Sequence, residues 1–520
     1  MMAPAAWYSR PLGAAIAFLL CCTLLILLRP MMPVDETRYL TVAWEMWLDG
    51  SRIVPHLNGE VYSHKPPLLF WLINLGWALF GDSAFVARMV GPLAGGAAIL
   101  LTGRLSLLLW PEDTARAGLA AWGLATSGVF LFFGSATRFE TLLTAAVVLA
   151  MLGLWRLAQT GRWPSIVLLG AAIALGVMSK GPVMLMHLLP VALAWRWWRM
   201  PGGVSAGRYV LALALSHLVA LALVMLWLGP ALILGGETYR HEVLWWQSAG
   251  RMVQSFSHHA PVWYYLALLP VLLWPWGWGR EITALWSAHH APQARFLMAA
   301  AGGMLIAFSL ISAKQIHYLA PALPAVCMLM AGYRRGRILL AERLLPMLPA
   351  LALLLYGVAV MTGGLSPAFL KGAGVAPLDL MIAVILGVAT MVQIALIRRR
   401  PAARVWVAPV TLIIVHLLAS AALWRNNDPE RPSAMLAPYA QKGVAVAETG
   451  HAGQFTFAAR LPSAVRQLGH AADLDLWQEQ HAGGVILSRA LLPQPGLRLL
   501  SRERLRGDLW HFYLVELKND

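Results

Sequence analysis

The feature that most constrains this chain is its series of apolar runs, each about as long as a bilayer core is thick. A spanning helix needs about 20 mostly apolar residues. Thirteen stretches qualify: 11–29, 87–109, 116–134, 141–158, 165–180, 182–198, 208–234, 262–279, 295–313, 317–333, 345–363, 378–397 and 405–424. Composition agrees. Of 520 residues, 59% are hydrophobic and only 12% charged, about half the charged fraction of a soluble domain. That leaves too little polar surface to clothe a globule in water, and it excludes a disordered or collagen-like chain. The expected fold class is an all-α polytopic membrane protein. Cys21, Cys22 and Cys327 all lie inside apolar runs and no CxxC spacing is present, which argues against a disulfide framework.

The formal net charge is +16, yet the cations sit in short clusters between apolar runs rather than along one solvated face, so nucleic acid is not the expected partner. Arg10 precedes the first run, and LRPMMP follows it where a cleavage site would need small residues, so the run reads as an uncleaved anchor. Residues 66–80 are apolar but short. If they do not cross and the N-terminus is cytoplasmic, eighteen Lys and Arg of the connecting segments fall inside and eleven outside. Were they to cross, most Arg clusters would move to the outer face, against the positive-inside rule. The run is therefore expected to be an interfacial helix, with Trp71 and Trp77 at headgroup level and the C-terminus outside. The expected organisation is a membrane domain, 1–424, with a first outer loop at 30–86, and a small outer α/β domain, 425–520. In the latter, strands are expected at GVAVAET, QFTFAARL, GGVILSR and LWHFYLVEL, and Pro462–Leu468 is helix-permissive.

The outer side carries the candidate chemistry. TRYLTVAWEMWLDG in the first loop has the spacing of an amphipathic surface helix, and Asn58-Gly59 in PHLNGEVY signals a turn. Asp35 fits two readings, a helix N-cap or a carboxylate aimed into an interfacial cavity to polarise an acceptor. Glu140 favours the dipole of its helix or pairs functionally with Asp35. Lys65, Arg138, Lys180 and Lys314 either snorkel or gather on an anion such as the phosphate of a lipid carrier. His64, His258, His259 and His317 also fall outside; a metal on His64 and His258 is one reading, although no fixed metal-ligand spacing is present.

Taken together, DETRY, W-x-x-G-S-R-I-V-P-H-L-N-G-E-x-Y, KPPLLFW, TRFETLLT, SKGP and HHAPVWYYL resemble the bacterial family that includes the lipid A aminoarabinose transferases and, more distantly, the protein O-mannosyltransferases. The resemblance covers roughly residues 30–335. It implies a GT-C type glycosyltransferase of the bacterial inner membrane. Such an enzyme passes a sugar from a polyprenyl (undecaprenyl) phosphate donor, usually with inversion, to a lipid or glycan acceptor on the periplasmic side. It further implies Asp35 as the catalytic carboxylate and Glu140 at the second acidic position. Lys65 and Arg38, with Lys314 added from its place on the outer side, would be cations near the donor phosphate, with Tyr62 close by. His258 would match a family histidine. The family's metal site includes a Glu where this chain has His64, so zinc on His64 and His258 would carry a different charge. A flippase of a lipid-linked sugar shares the anionic-lipid pocket but needs alternating access, often built from inverted repeats, and no such repeat is evident. Which sugar, which acceptor and which oligomeric state are not legible in the residues.

Overall fold

The computed structural model describes residues 10–244, 259–283, 289–333, 405–422 and 428–516, with a few positions between 344 and 395. The membrane part is helical: α1 (Pro11–Leu27), α2 (Asp35–Asp49), α3 (Leu68–Phe80), α4 (Ala84–Arg88), α5 (Val90–Leu109), α6 (Thr114–Ala125), α7 (Gly128–Gly134), α8 (Glu140–Thr160), α9 (Trp163–Lys180), α10 (Val183–Leu193), α11 (Trp195–Trp198) and α12 (Ala206–Leu234). Further helices follow at Tyr264–Leu272, Pro292–Leu310, Leu323–Met330 and Val407–Ala422. Among the described residues, five helices are long and apolar enough to cross a membrane: the joined Ala84–Leu109, α8, α9, α12 and Pro292–Leu310. α8 sits at the centre, packed against α5 and α9, while α12 lies outside α9. Expected spans 345–363 and 378–397 fall almost entirely outside the described residues.

Several expected spans are broken rather than straight. Run 116–134 is the pair α6 and α7, bent by 61°. The bend admits a crossing strand of chain: Gly128 N donates to Trp274 O at 3.1 Å and Trp276 Nε1 donates to Thr126 Oγ1 at 3.0 Å. A Cβ at position 128 would lie 2.3 Å from the Trp274 ring, so only glycine fits. Run 262–279 is α-helical over Tyr264–Leu272, with Pro270 inside that helix, and returns as a single 3-10 turn at Trp276–Trp278 after Pro275, which has no N–H to give the ladder. Run 182–198 divides into α10 and α11.

The first loop, residues 30–86, folds onto the membrane part. α2 begins with two acids in its first turn and stops at Gly50, whose φ of +68° ends the helix in the left-handed region. His56–Leu57 (β1) pairs antiparallel with Glu60–Val61 (β2) around Asn58-Gly59, both with positive φ, the turn that this dipeptide favours. α3 has 13 residues, about 20 Å at 1.5 Å per residue, short of the hydrocarbon core. Of its two tryptophans, Trp77 is turned inward and Trp71 stays partly exposed. Trp77 is buried, edge-on to Trp44 and stacked on Phe457 at 5.4 Å, and Trp71 Nε1 donates to Arg52 O at 2.6 Å.

Residues 428–516 form a small α/β unit; the expected boundary at 424/425 lies outside the described residues. Val444–Val446 (β3), Arg466–Gln467 (β4), Val485–Ser488 (β5), Leu497–Leu505 (β6) and Asp508–Val515 (β7) build one sheet in the order β4-β3-β5-β7-β6, with a helix at Ala471–Gln480. Two expectations fail. QFTFAARL is a run of turns, with Ala459 N bonded to Phe455 O and Leu461 N to Thr456 O. Its alternating phenylalanines serve two cores, Phe455 the sheet's and Phe457 the first loop's. The helix-permissive Pro462–Leu468 supplies β4 instead.

Candidate active site

Two acids at the start of α2 build two charge clusters. Glu36 is buried and takes Arg29 Nη1 at 2.6 Å, Arg88 Nε at 3.2 Å, Thr137 Oγ1 at 2.8 Å and the Met32 backbone N–H at 2.8 Å. Burial alone would raise its pKa. The guanidinium groups of Arg29 and Arg88 override that and hold the carboxyl well below its usual range. Arg29 also reaches Ser135 O at 2.6 Å, and Arg88 reaches Arg29 O at 3.1 Å. One carboxylate thus ties the end of α1, the start of α2, α4 and the segment before α8 together. This knot was not expected from sequence. Its signal was an acid beside Asp35 with two nearby arginines, since a buried acid requires such partners.

Asp35 does not cap α2. Val34 is the cap residue, and no side-chain cap bond is made. The carboxylate turns instead to Arg138 Nη1, with Arg38 Nη1 at 3.8 Å on its other oxygen, and its side chain stays 38% exposed. Arg138 reaches onward through Nε to Glu140 Oε2 at 3.2 Å. Glu140 is buried at the start of α8 and accepts Lys180 Nζ at 2.9 Å, with His317 Nε2 at 3.4 Å. Burial works against the charge of Arg138, but Glu140 and Asp35 more than offset it and raise its pKa.

Among the other expected site residues, Tyr62 is buried against Phe70, ring centroids 6.2 Å apart, and against His64 at 5.2 Å. The Lys65 ammonium lies 5.9 Å from the Phe139 ring centroid, beside the same aromatic cluster. Lys314 is not in the cluster: it is buried and its ammonium donates to the carbonyls of Ala260 and Ile311. The outer cations therefore do not all await an external anion. Arg29 and Arg88 serve Glu36, Lys180 and Arg138 serve Glu140, and Lys314 serves backbone. His64 is exposed, His258 lies outside the described residues, and no group of three His, Cys, Asp or Glu able to hold a metal occurs among the described residues.

At the other end of α2 from Asp35, an apolar cavity of about 840 Å³ opens between the first loop and α9 and α12, lined by Ile53, Trp71, Asn74, Met178, Leu226 and Trp227 among others, and by none of the charged residues of the two clusters above. Its roof is pinned by indoles, Trp71 on Arg52 O and Trp227 Nε1 on Ile53 O at 2.8 Å. Leu226 at its rim is exposed on the outer surface of α12.

The architecture, a helical membrane core with a hydrogen-bonded first loop and a small sheet unit, is a GT-C type fold. It superimposes on the crystal structure of ArnT from Cupriavidus metallidurans bound to undecaprenyl phosphate with a TM-score of 0.76, over 96% of both chains, at 19% identity. Residues 64–232 match the family model described as dolichyl-phosphate-mannose-protein mannosyltransferase. Among curated proteins, the chain is 30% identical over 318 residues to the undecaprenyl phosphate-alpha-4-amino-4-deoxy-L-arabinose arabinosyl transferase 1 of Sodalis glossinidius, covering 58% of this chain and 54% of that one. It is 32% identical over 311 residues to the corresponding transferase of Pseudomonas paraeruginosa, covering 57% and 54%. The chain thus spans about half the length of the curated relatives it matches. The resemblance read from the motifs is borne out.

Proposed function

We propose that this protein is a membrane glycosyltransferase that moves a sugar, aminoarabinose or a close analogue, from a polyprenyl phosphate to lipid A or another envelope acceptor. The observation that carries this reading is Asp35: a partly exposed carboxylate at the membrane edge, gripped by an arginine anchored in a buried ion cluster, within the fold described above. The donor is a lipid and must enter sideways, which the apolar cavity opening toward the outer surface of α12 permits. The acceptor oxygen attacks the anomeric carbon as its bond to the phosphate oxygen breaks, and polyprenyl phosphate leaves with the bonding pair. Cations near that phosphate, of which Arg38 and Lys65 are the candidates, stabilise charge as it accumulates on the leaving oxygen. Asp35 accepts the proton of a hydroxyl acceptor. With a phosphate acceptor there is no such proton, and the carboxylate orients the nucleophile. Tyr62 shapes the wall beside the donor phosphate. Glu140, fully engaged by three protein groups, acts beneath Asp35. The orientation that goes with this chemistry has the N-terminus cytoplasmic and the first loop and C-terminal unit periplasmic.

The test uses purified protein in lipid nanodiscs, a radiolabelled polyprenyl-phosphate aminoarabinose donor and lipid A. Wild type is expected to release polyprenyl phosphate and label the acceptor, and Asp35→Asn to lose at least 100-fold in rate. Full turnover in that variant removes Asp35 from the role. Donor translocation without sugar transfer overturns the enzyme reading in favour of a flippase.

A further inference from the structure

The cations of the outer face invite assignment to the donor phosphate, and for Arg138 the geometry points elsewhere. Each of its three guanidinium nitrogens faces a protein group: Nε on Glu140 at 3.2 Å, Nη1 on Asp35, and Nη2 3.5 Å from His317 Nε2. Its side chain is 19% exposed, against 38% for Asp35 and 4% for Glu140. Lys180, 9% exposed, holds the second oxygen of Glu140 and lies over the Tyr318 ring at 5.2 Å. Arg138 and Lys180 are thus both committed to the two carboxylates, and the surplus cation of the cluster is Arg38, 3.8 Å from Asp35 and 27% exposed.

We propose that Arg138 is a positioning residue for Asp35, a rigid fork clamped from beneath by Glu140, Lys180 and His317, and that it does not bind the donor phosphate. This rests on the function proposed above. The fork matters as well as the charge. A planar guanidinium can present two edges to two carboxylates at a fixed angle, whereas a lysine ammonium is a point charge on a flexible stem. Displacing a reacting group by about 1 Å costs on the order of 100-fold in rate.

The experiment measures kcat, donor KM and, separately, binding of sugar-free polyprenyl phosphate for Arg138→Gln, Arg138→Lys and Glu140→Gln. Both arginine variants are expected to lose at least 100-fold in kcat, with donor KM and polyprenyl phosphate affinity within threefold of wild type. Glu140→Gln is expected to lose about tenfold or more in kcat, also without a KM change, and it carries the test if Arg138→Gln does not fold. In an Asp35→Asn background, Arg138→Gln adds little further loss, because the two residues act as one unit; a merely destabilising substitution would still lower the residual rate. Near-normal kcat in Arg138→Lys overturns the fork. A tenfold loss of polyprenyl phosphate binding in Arg138→Gln makes the arginine a phosphate ligand and overturns the proposal. If wild type transfers no sugar, the function reading falls by itself, and the polyprenyl phosphate measurement still decides whether Arg138 grips the lipid.

Discussion

The two ends of α2 handle buried acid in opposite ways. At its start, Glu36 is buried against two guanidinium groups and stays ionised. Two to three turns on, Glu45 is also buried, but its partners are the backbone N–H groups of Asn58 at 2.8 Å and Gly59 at 3.0 Å. Burial, with Asp49 adding to it, outweighs those two hydrogen bonds and pushes Glu45 up to about 7. The difference shows that amide dipoles fix the position of a buried carboxylate but compensate its charge less than guanidinium does. The first end is a permanent joint of the membrane part. The second presents the β1–β2 hairpin to the C-terminal unit, with Asn58 Nδ2 donating to His451 O at 2.7 Å, Thr41 Oγ1 to Gly453 O at 2.7 Å and Trp44 Nε1 to Leu461 O at 2.9 Å.

The harshest way to break this contrast is at the permanent joint. Glu36→Ala leaves Arg29 and Arg88 buried without their counter-charge, and breaking such a pair costs about 3–5 kcal/mol. Thermal unfolding in detergent should show a large drop in Tm or no folded protein. A Tm within a degree or two of wild type would mean the arginines find water and the joint is not buried in the membrane-embedded protein.

On the other side, Phe457 is the apolar plug of the docking face, between Trp44 and Trp77 and beneath the Arg460 guanidinium at 4.1 Å. Phe457→Ala should cost about 3 kcal/mol by cavity formation. The loss should fall on docking: limited proteolysis is expected to attack the C-terminal unit sooner, while the membrane part keeps its Tm. Equal loss in both parts would show that the two unfold together.

Glu45 sharpens the contrast through pH. Its folded pKa is raised above the ordinary value of 4.5, so the folded state prefers the protonated form. Its contribution to stability is fully present below about 4.5 and is lost as pH rises through about 7. The whole shift converts to about 3 kcal/mol, and relaxation around the ionised group should reduce the observable loss to about 1–2 kcal/mol. Protease resistance of the C-terminal unit should therefore fall as pH rises from about 4.5 to about 7 in wild type and stay flat in Glu45→Gln. Equal slopes in the two proteins would remove Glu45 from the effect. The joint at Glu36 should show no change over this window.

What the sequence disclosed follows from the same physics. Apolar run length marked the membrane part, helical spacing with two leading acids marked α2, and Asn58-Gly59 marked the hairpin, because each is a local consequence of residue type. Asp35 stood out as an acid at a membrane edge. Its use did not, since whether it caps a helix or meets Arg138 depends on a residue 103 positions away. Glu36 carries no local signal for the same reason, and Lys314 reads as a ligand's cation because a cation near membrane depth looks the same whether it faces a ligand or two carbonyls. QFTFAARL alternates like a strand, yet Phe457 is called away to a core built by α2 and α3, and no local pattern carries that information.

The mildest test separates turn from docking at Asn58. Its φ is 58° and that of Gly59 is 75°, so glycine at position 58 fits the turn without strain. Asn58→Gly thus keeps the backbone N–H donated to Glu45 and deletes only the side-chain bond to His451 O. The net worth of one such bond is about 0.5–1.5 kcal/mol, and the more flexible unfolded chain adds a few tenths. Docking should weaken slightly, read as a modest increase in proteolysis rate, with the pH dependence on Glu45 intact because its two amide donors remain. If the pH dependence vanished as well, the carboxylate would be held by the docked C-terminal unit rather than by the hairpin.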